Sequence, residues 1–210
     1  MVADGEGVRA RLSEAGVVPI LRVADAERAL ALGGALAGAG VGVLEVSFNT
    51  PDAPAVIERL AEEHPGVVVG AGTVLRPEEA ARAAGAGARF LLSPAFHPEV
   101  ARAARDLGCP YIPGAFTATE VWRVIEAGLD MFKLFPAGLY GVAGMRTLLE
   151  PFPGLGVVPS GGIGLGEVGA WRAAGAVAVG LGGAITRAPD PVAAARAALA
   201  AARVPRAEPV

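Results

Sequence analysis

One lysine stands out among the residues able to do chemistry. Lys133 is the only lysine in the chain, since the other cationic side chains are arginines. It lies in the apolar run Met131–Pro136, which is typical of a buried strand, and a lysine is rarely buried without a partner or a task. A lysine amine forms Schiff bases with carbonyl substrates. The alternative interpretation is a strand-end lysine whose ammonium group reaches water.

A carboxylate and a hydroxyl are predicted to share the environment of Lys133. Side chains alternate between the two faces of a strand, and in the run Val43–Phe48 the more apolar set should face helices, which directs Glu45 inward. The same alternation predicts that Ala71 and Thr73 point inward. Because a nearby carboxylate favours the ammonium form of lysine, we interpret Glu45 as the group that moves protons. The alternative is a buried ion pair that only joins two strands.

Two glycine pairs predict an anion site. Gly161-Gly162 and Gly182-Gly183 follow the last two predicted strands, and Ser160 is the hydroxyl nearest the first pair. In barrels of alternating strands and helices, these two loops often bind phosphate through bare amides and a helix N-terminus. The alternative is that they are tight turns in a chain with 30 glycines.

These residues must be held by strands, and eight apolar runs are candidates. Each run is continuously apolar, which is typical of parallel strands covered on both faces. Eight strand–helix units predict an α/β fold, a single (β/α)₈ barrel. An open doubly wound sheet is the alternative, although it would favour a glycine-rich turn after the first strand. The predicted strands are Val17–Arg22, Val43–Phe48, Val67–Val74, Arg89–Pro94, Tyr111–Phe116, Met131–Pro136, Gly156–Ser160 and Ala176–Leu181.

Helix starts separate these runs. Asp25 and the Thr117…Glu120 capping box are N-terminal helix signals, and a proline is tolerated at the first helical position. We therefore expect helices to begin at Pro51, Pro77, Pro98 and Pro191, the last capped by Asp190. One domain over residues 1–210 is predicted, with a short N-terminal helix within residues 1–16 and a frayed tail over residues 204–210.

Composition excludes several classes of protein. The net charge of −3 argues against a nucleic-acid surface, and no apolar run is long enough to span a membrane. The single cysteine, Cys109, allows no disulfide within the chain and fits a reducing cytosol. No His, Cys or Asp spacing suggests a metal site, so neither metal nor cofactor is expected.

Several motifs together resemble one known family. The most specific part is the run Phe132–Ala137 combined with the upstream Glu45. The remaining matches are Val18–Arg22, Val69–Val74, Ser93-Pro94, Ile112–Gly114 with Thr117 and Glu120, and Ser160–Ile163. Together they resemble the motifs of the 2-dehydro-3-deoxy-6-phosphogluconate (KDPG) and 4-hydroxy-2-oxoglutarate (KHG) aldolases, in register from about Val17 to Ala184.

The resemblance implies a metal-independent class I aldolase, usually a homotrimer, that forms pyruvate from a small keto acid. It implies that Lys133 carries the Schiff base and that Glu45 is the general acid/base. It also implies that Thr73 binds the pyruvate moiety and that Phe135 and Pro94 line its pocket. Competing hypotheses are a phosphosugar isomerase or epimerase on the same barrel and a non-catalytic anion-binding barrel.

Two positions depart from the family pattern. Many members have an arginine four residues after the glutamate to bind the substrate carboxylate, where this chain has Asn49. Arg22 is a candidate replacement, although it is equally compatible with a surface or helix-capping role. The phosphate loop of the family usually has serine after the glycine of the eighth strand, where this chain has the stretch Gly182-Gly183-Ala184. We therefore expect the substrate to be KDPG, KHG or a related sugar acid.

Overall fold

The strands follow the predicted order along the chain. The computed structural model describes residues 5–204, and within that range every strand is short and mostly buried. The strands are β1 Val17–Leu21, β2 Val43–Ser47, β3 Val68–Gly72, β4 Leu91–Leu92, β5 Tyr111–Ile112, β6 Gly114–Ala115, β7 Met131–Leu134, β8 Gly156–Pro159 and β9 Val179–Leu181.

Parallel pairing closes these strands into a ring. One run has the order β5-β4-β3-β2-β1-β9 and the other the order β6-β7-β8. β5 and β6 are two halves of one barrel strand interrupted at Pro113, which has no backbone N–H to donate. Ser160, directly after β8, pairs in parallel with Gly180 of β9 and joins the two runs. The ring has eight strand positions, so the predicted (β/α)₈ barrel is confirmed.

Helices alternate with the strands around the ring. Two short 3₁₀ turns, Ala137–Leu139 and Leu165–Glu167, lie just before the helices Gly141–Leu149 and Val168–Ala173. Within residues 5–204, no helix is both long and apolar enough to cross a membrane. The helices are α1 Gly5–Ala15, α2 Ala26–Gly38, α3 Ala53–Glu63, α4 Pro77–Gly85, α5 Pro98–Asp106, α6 Ala118–Glu126, α7 Gly141–Leu149, α8 Val168–Ala173, α9 Gly183–Thr186 and α10 Pro191–Ala201.

Three of the four predicted proline starts are confirmed, at Pro77, Pro98 and Pro191. The start predicted at Pro51 is wrong, because α3 begins two residues later, at Ala53. Asp52 takes a left-handed conformation with φ 52°, which reverses the chain before the helix. The proline of the first helical turn is therefore Pro54.

Side-chain caps fix three helix starts as predicted. Asp25 accepts a hydrogen bond from the Arg28 amide at 2.7 Å, and Asp190 accepts one from the Ala193 amide at 2.9 Å. At α6, Thr117 Oγ1 accepts from the Glu120 amide at 3.3 Å, while the Glu120 carboxylate accepts from the Thr117 amide at 2.9 Å. The predicted tail from residue 205 onward lies outside the described residues.

The core has two layers. The barrel interior holds one buried cluster, to which α1 contributes Val8 and Leu12, so that this helix covers the N-terminal end. The second layer fills the space between the sheet and its surrounding helices. Because the N-terminal end is covered, the interior is reached from the C-terminal ends of the strands. The interior cluster comprises Val8, Leu12, Val18, Val43, Phe90, Leu92, Ile112, Met131, Val158, Val177 and Ala178.

Candidate active site

Lys133 and Glu45 meet inside the barrel. Lys133 Nζ lies 3.3 Å from Oε1 and 3.4 Å from Oε2 of Glu45. The exposed fractions of the two residues are 5% and 1%. Lys133 belongs to β7, where it pairs with Gly114 and Val158, whereas Glu45 belongs to β2 across the ring. The predicted inward direction of both side chains is confirmed.

Glycines on β3 make room for the carboxylate. A β-carbon on Gly72 would overlap the Glu45 carboxylate, and one on Gly70 would overlap the Phe90 ring. These two residues therefore face the interior, and their missing side chains leave space there. The sequence does not reveal this role, because the run of alternating glycine and alanine reads only as a strand.

The predicted directions on β3 need correction. Ala71 packs in the layer between sheet and helices, so the prediction that it points inward is wrong. Strict alternation would then turn Thr73 outward as well. Thr73, however, follows the end of β3 with φ 59°, a left-handed conformation that redirects its side chain. Its hydroxyl therefore contacts Ser47 and Arg22 at the C-terminal ends of the strands. This position results from the left-handed turn and not from the alternation on which the prediction was based.

Hydroxyl groups and one arginine form a network at the ends of β1, β2 and β3. Ser47 Oγ lies 3.1 Å from Thr73 Oγ1, and Ser47 is fully buried. Arg22 donates to Ser47 Oγ from Nε at 3.4 Å and to Thr73 Oγ1 from Nη2 at 3.3 Å. The network holds the Arg22 guanidinium at the rim of the barrel. Ser47 was not predicted as a site residue, although it shares the interior face of β2 with Glu45.

A second chain of hydrogen bonds steadies the backbone after Thr73. Tyr111 donates to Ser93 Oγ at 2.8 Å, and Ser93 in turn donates to the carbonyl of Val74. Burial raises the pKa of Tyr111 to about 12 despite these hydrogen bonds, so the phenol remains a donor at neutral pH. These hydrogen bonds link Tyr111, the first residue of β5, to the segments that follow β4 and β3.

A cavity of about 330 Å³ contains most of the predicted site residues. Lys133 lines it together with Phe135, whose ring centroid is 5.7 Å from the lysine Nζ. Arg22 lines the same cavity. A larger cavity of about 510 Å³ lies near the N-terminal ends of β3 and β4, the end opposite to where such barrels place their chemistry. The residues lining the smaller cavity are Ile20, Arg22, Lys133, Phe135, Ser160, Gly161, Gly162, Ile163, Gly180, Gly182, Gly183, Ala184, Thr186 and Arg187.

Three predicted binding residues, Thr73, Asn49 and Pro94, do not line that cavity, and neither does Glu45. Asn49 is exposed and does not line it, and its backbone amide donates to Ser47 Oγ at 3.4 Å. Pro94 also does not line it, but its carbonyl packs against Gly114, the residue paired with Lys133. Of the two candidates for carboxylate binding, the structure brings Arg22 to the cavity and not Asn49.

The two glycine loops come together as predicted. Gly161 and Gly162 have φ values of 86° and 79°, which glycine adopts readily. A β-carbon on Gly161 would overlap the Phe135 ring, so this loop lies directly against the lysine end of the cavity. Ser160 Oγ is buried and has no hydrogen-bond partner among the described residues. The helix after Gly182, α9, is only four residues long, so its dipole is small.

Arg187 is a cavity residue that the sequence did not predict. It follows α9 and lies one helical turn after Gly183. This spacing is a usable signal, because side chains four residues apart on a helix are neighbours. Its guanidinium covers Gly183 at the position where another residue would carry a β-carbon. Within the described part of the chain, no three His, Cys, Asp or Glu residues gather as metal ligands would.

A family model decides what kind of barrel this is. The model for KDPG and KHG aldolase matches residues 8–193. The chain belongs to this aldolase family. The protein is thus a carbon–carbon lyase of the aldolase type, a member of the family that the sequence motifs resemble.

Individual members of the aldolase family match over most of the chain. The 2-dehydro-3-deoxy-phosphogluconate aldolase of Treponema pallidum is 40% identical over 72% of this chain and 73% of its own length. The crystal structure of the 2-keto-3-deoxy-6-phosphogluconate aldolase of Zymomonas mobilis ZM4, solved with 3-phosphoglycerate, has a TM-score of 0.85 and 30% identity, over 97% of this chain and 98% of that one.

A third match is a KDPG aldolase from Legionella pneumophila, solved with pyruvate captured as a covalent carbinolamine. Its TM-score is 0.80 at 28% identity, over 95% of this chain and 98% of that one. The barrel of this aldolase is therefore the fold of its solved relatives.

Proposed function

We propose that this aldolase cleaves 4-hydroxy-2-keto acids to pyruvate and an aldehyde through a Schiff base on Lys133. The observation that carries the proposal is the buried contact between Lys133 and Glu45 beside the cavity. KDPG would yield glyceraldehyde 3-phosphate, and KHG would yield glyoxylate. The covalent carbinolamine in the Legionella pneumophila relative supports the same chemistry here.

Bond formation begins at the amine. Lys133 Nζ attacks the C2 carbonyl of the substrate, and the resulting carbinolamine loses water to give an iminium ion. At 3.3 Å, Glu45 is within reach of the amine and can take up the proton that Nζ must release. The apolar surroundings of the pair keep bulk water from competing for these protons.

Cleavage follows once the iminium is formed. Glu45, directly or through a water molecule, removes the proton of the C4 hydroxyl as the C3–C4 bond breaks. The bonding electrons move into the iminium group and leave an enamine on Lys133, while the aldehyde departs. Protonation at C3 and hydrolysis of the iminium release pyruvate and regenerate the amine. Every step uses a proton, water or the lysine, so no cofactor is required.

The substrate carboxylate needs a cation, and Arg22 is our candidate. Asn49 occupies the position where many family members have arginine, but it is exposed and outside the cavity. Arg22 lines the cavity and is oriented by Ser47 and Thr73. A guanidinium binds a carboxylate through two parallel N–H donors, which fixes the keto acid relative to Lys133.

Borohydride trapping with pyruvate tests the proposal. Reduction should attach pyruvate covalently to the protein, and peptide mapping should place the adduct on Lys133, the only lysine. Lys133→Arg should give no side-chain adduct and no cleavage. An unmodified Lys133 after reduction under conditions that trap an authentic class I aldolase would refute the Schiff-base mechanism.

We further propose that the aldolase works as a homotrimer in the cytosol. Large apolar side chains that one copy leaves exposed support an assembly, notably Leu139 at 79% and Trp122 at 51% exposure. The lone thiol Cys109 is compatible with a reducing compartment. Light scattering coupled to size exclusion should give three times the chain mass of 21.0 kDa, and a monomer mass would contradict the assembly.

A further inference from the structure

The guanidinium of Arg187 lies over the backbone of the second glycine loop, Gly182-Gly183. Gly183 begins α9, and the Arg187 amide donates to the Gly183 carbonyl at 3.1 Å, which places the two residues one turn apart. A β-carbon on Gly183 would overlap Nη2, Cζ and Nε of Arg187. The guanidinium can therefore lie back over the loop only because residue 183 has no side chain.

The charge of Arg187 is available for a ligand. Within residues 5–204, its guanidinium forms no ion pair or hydrogen bond; the ion pairs there involve Arg9, Arg11, Arg59 and Lys133. It lines the cavity that also contains Lys133. A cation held over a glycine loop and facing a shared cavity is suited to bind an anionic part of the substrate.

Ser160 is a second, independent sign of a ligand in the same cavity. This residue is 1% exposed, lines the cavity, and its Oγ has no hydrogen-bond partner among the described residues. A β-carbon on Gly180 would overlap that hydroxyl, so the glycine of β9 leaves it room beside the loop. Since a buried hydroxyl without a partner is costly, the hydroxyl is suited to a polar ligand group.

From these observations we propose that Arg187, held over Gly183, binds the terminal phosphate of a phosphorylated 4-hydroxy-2-keto acid and makes the enzyme prefer that substrate. The proposal rests on the proposed aldolase function. Bare loop amides supply donors but no net charge, and α9 is too short to add much. A guanidinium supplies both charge and paired N–H donors, which match phosphate geometry. Arg22, which lines the same cavity, then remains available to bind the substrate carboxylate.

A matched substrate pair tests this inference. KDPG and 2-dehydro-3-deoxygluconate differ only in the phosphate group. For Arg187→Ala we expect KM for KDPG to rise about tenfold or more with kcat little changed, because a contact to a remote group is made equally in the ground and transition states. The kinetic constants for 2-dehydro-3-deoxygluconate should stay within about twofold. Arg187→Lys keeps the positive charge but not the paired N–H donors of the guanidinium, so its KM for KDPG should rise less than that of Arg187→Ala.

Gly183→Ala provides a second variant that keeps the arginine. The nearest atoms to the added β-carbon all belong to the flexible Arg187 side chain, so the guanidinium moves while the backbone can stay. We expect the same selective rise in KM for KDPG. Arg196→Ala, at an exposed arginine of α10, is the matched control and should keep the preference of the parent enzyme. Inorganic phosphate should inhibit the parent and the control more strongly than either cavity variant.

The outcomes separate the two proposals. If Arg187→Ala weakens both substrates equally, or neither, the phosphate role is wrong. Pyruvate trapping by borohydride on Lys133 in the same variant reports the Schiff-base chemistry alone. A variant that still traps pyruvate but keeps its preference for KDPG refutes the role of Arg187 without touching the mechanism.

Discussion

The ammonium group of Lys133 faces both carboxylate oxygens of Glu45 at nearly equal distances, 3.3 and 3.4 Å. The two residues come from opposite parts of the ring, β7 and β2, and are 88 positions apart in sequence. This geometry allows a proton to pass in either direction, as the proposed reaction requires. It also makes each residue the counter-charge of the other inside the barrel.

Glu45→Gln should separate imine formation from turnover. The amide preserves the shape but cannot take up or deliver protons as a carboxylate does. We expect kcat to fall by about 10²–10⁴-fold, the usual contribution of a general acid/base. Borohydride trapping with pyruvate should persist at a reduced rate. Turnover equal to that of the parent enzyme would remove Glu45 from the mechanism.

Replacing both members of the pair tests the idea that it serves only to join strands. Lys133→Met alone leaves Glu45 buried without its counter-charge and should lower the free energy of unfolding by about 3–5 kcal/mol. The double variant with Glu45→Leu should recover most of that loss, since apolar pairs often replace buried ion pairs well. Urea unfolding of both variants measures this. A double variant as unstable as the single one would favour the purely structural interpretation.

Arg22→Ala should weaken every keto-acid substrate alike. If Arg22 binds the carboxylate, KM should rise about 10- to 100-fold for KDPG and 2-dehydro-3-deoxygluconate together, the cost of losing a charged hydrogen-bonding partner. Arg28→Ala, at an exposed arginine of α2, is the control. Selective weakening of the phosphorylated substrate would instead assign Arg22 to the phosphate.

Much of the barrel could be predicted from the sequence, because apolar runs and helix caps are local signals. The inward directions of Glu45 and Lys133 also follow from alternation within regular strands. On β3 the prediction chose the wrong face for Ala71, which faces the helices, and alternation ends at Thr73, which turns at φ 59° after the strand. A single residue in the left-handed conformation after a strand has its side chain redirected. Apart from glycine, no residue type reliably predicts that conformation.

The residues that the sequence missed depend on contacts between distant segments. Gly72 matters because Glu45 from another strand occupies the space beside it, and Ser47 matters because Thr73 and Arg22 converge on it. Arg187 was hidden for a different reason: it looks like a surface arginine until Gly183 is seen to lie beneath its guanidinium.

Gly72→Ala should damage activity more than stability. The added β-carbon would overlap the Glu45 carboxylate, which must then move away from Lys133. A displacement of about 1 Å in an active site can lower the rate by about 100-fold. Overpacking should lower the free energy of unfolding by about 1–3 kcal/mol.

Gly166→Ala is the matched control for that substitution, because nothing lies within 4 Å of the β-carbon it adds. It should leave kcat and the unfolding midpoint close to those of the parent enzyme. Unchanged kcat in Gly72→Ala would mean that the carboxylate position does not limit turnover.

The capping box of α6 should give the protein an acid-sensitive component of stability. The Phe116 amide, followed by the Thr117 amide and hydroxyl, donates to Glu120 and lowers the pKa of this carboxyl below its ordinary value of 4.5. A carboxylate with a lowered pKa in the folded state stabilises that state above about pH 4.5, and the contribution is lost as the pH falls through the folded-state pKa.

Glu120→Gln should therefore lower the free energy of unfolding near neutral pH and make it depend less on pH in the acidic range. Because Glu120 is only half-buried, we expect a loss of about 1 kcal/mol or less, which should shrink as the pH falls through the lowered pKa of the parent carboxylate. Thermal melts of both proteins from pH 3 to pH 7 measure the difference. Glu126→Gln, at an exposed glutamate of the same helix, should show the same loss of stability at acidic pH as the parent protein. A stability difference between Glu120→Gln and its parent that is constant across this range would mean that the ionised carboxylate is not what stabilises the helix start.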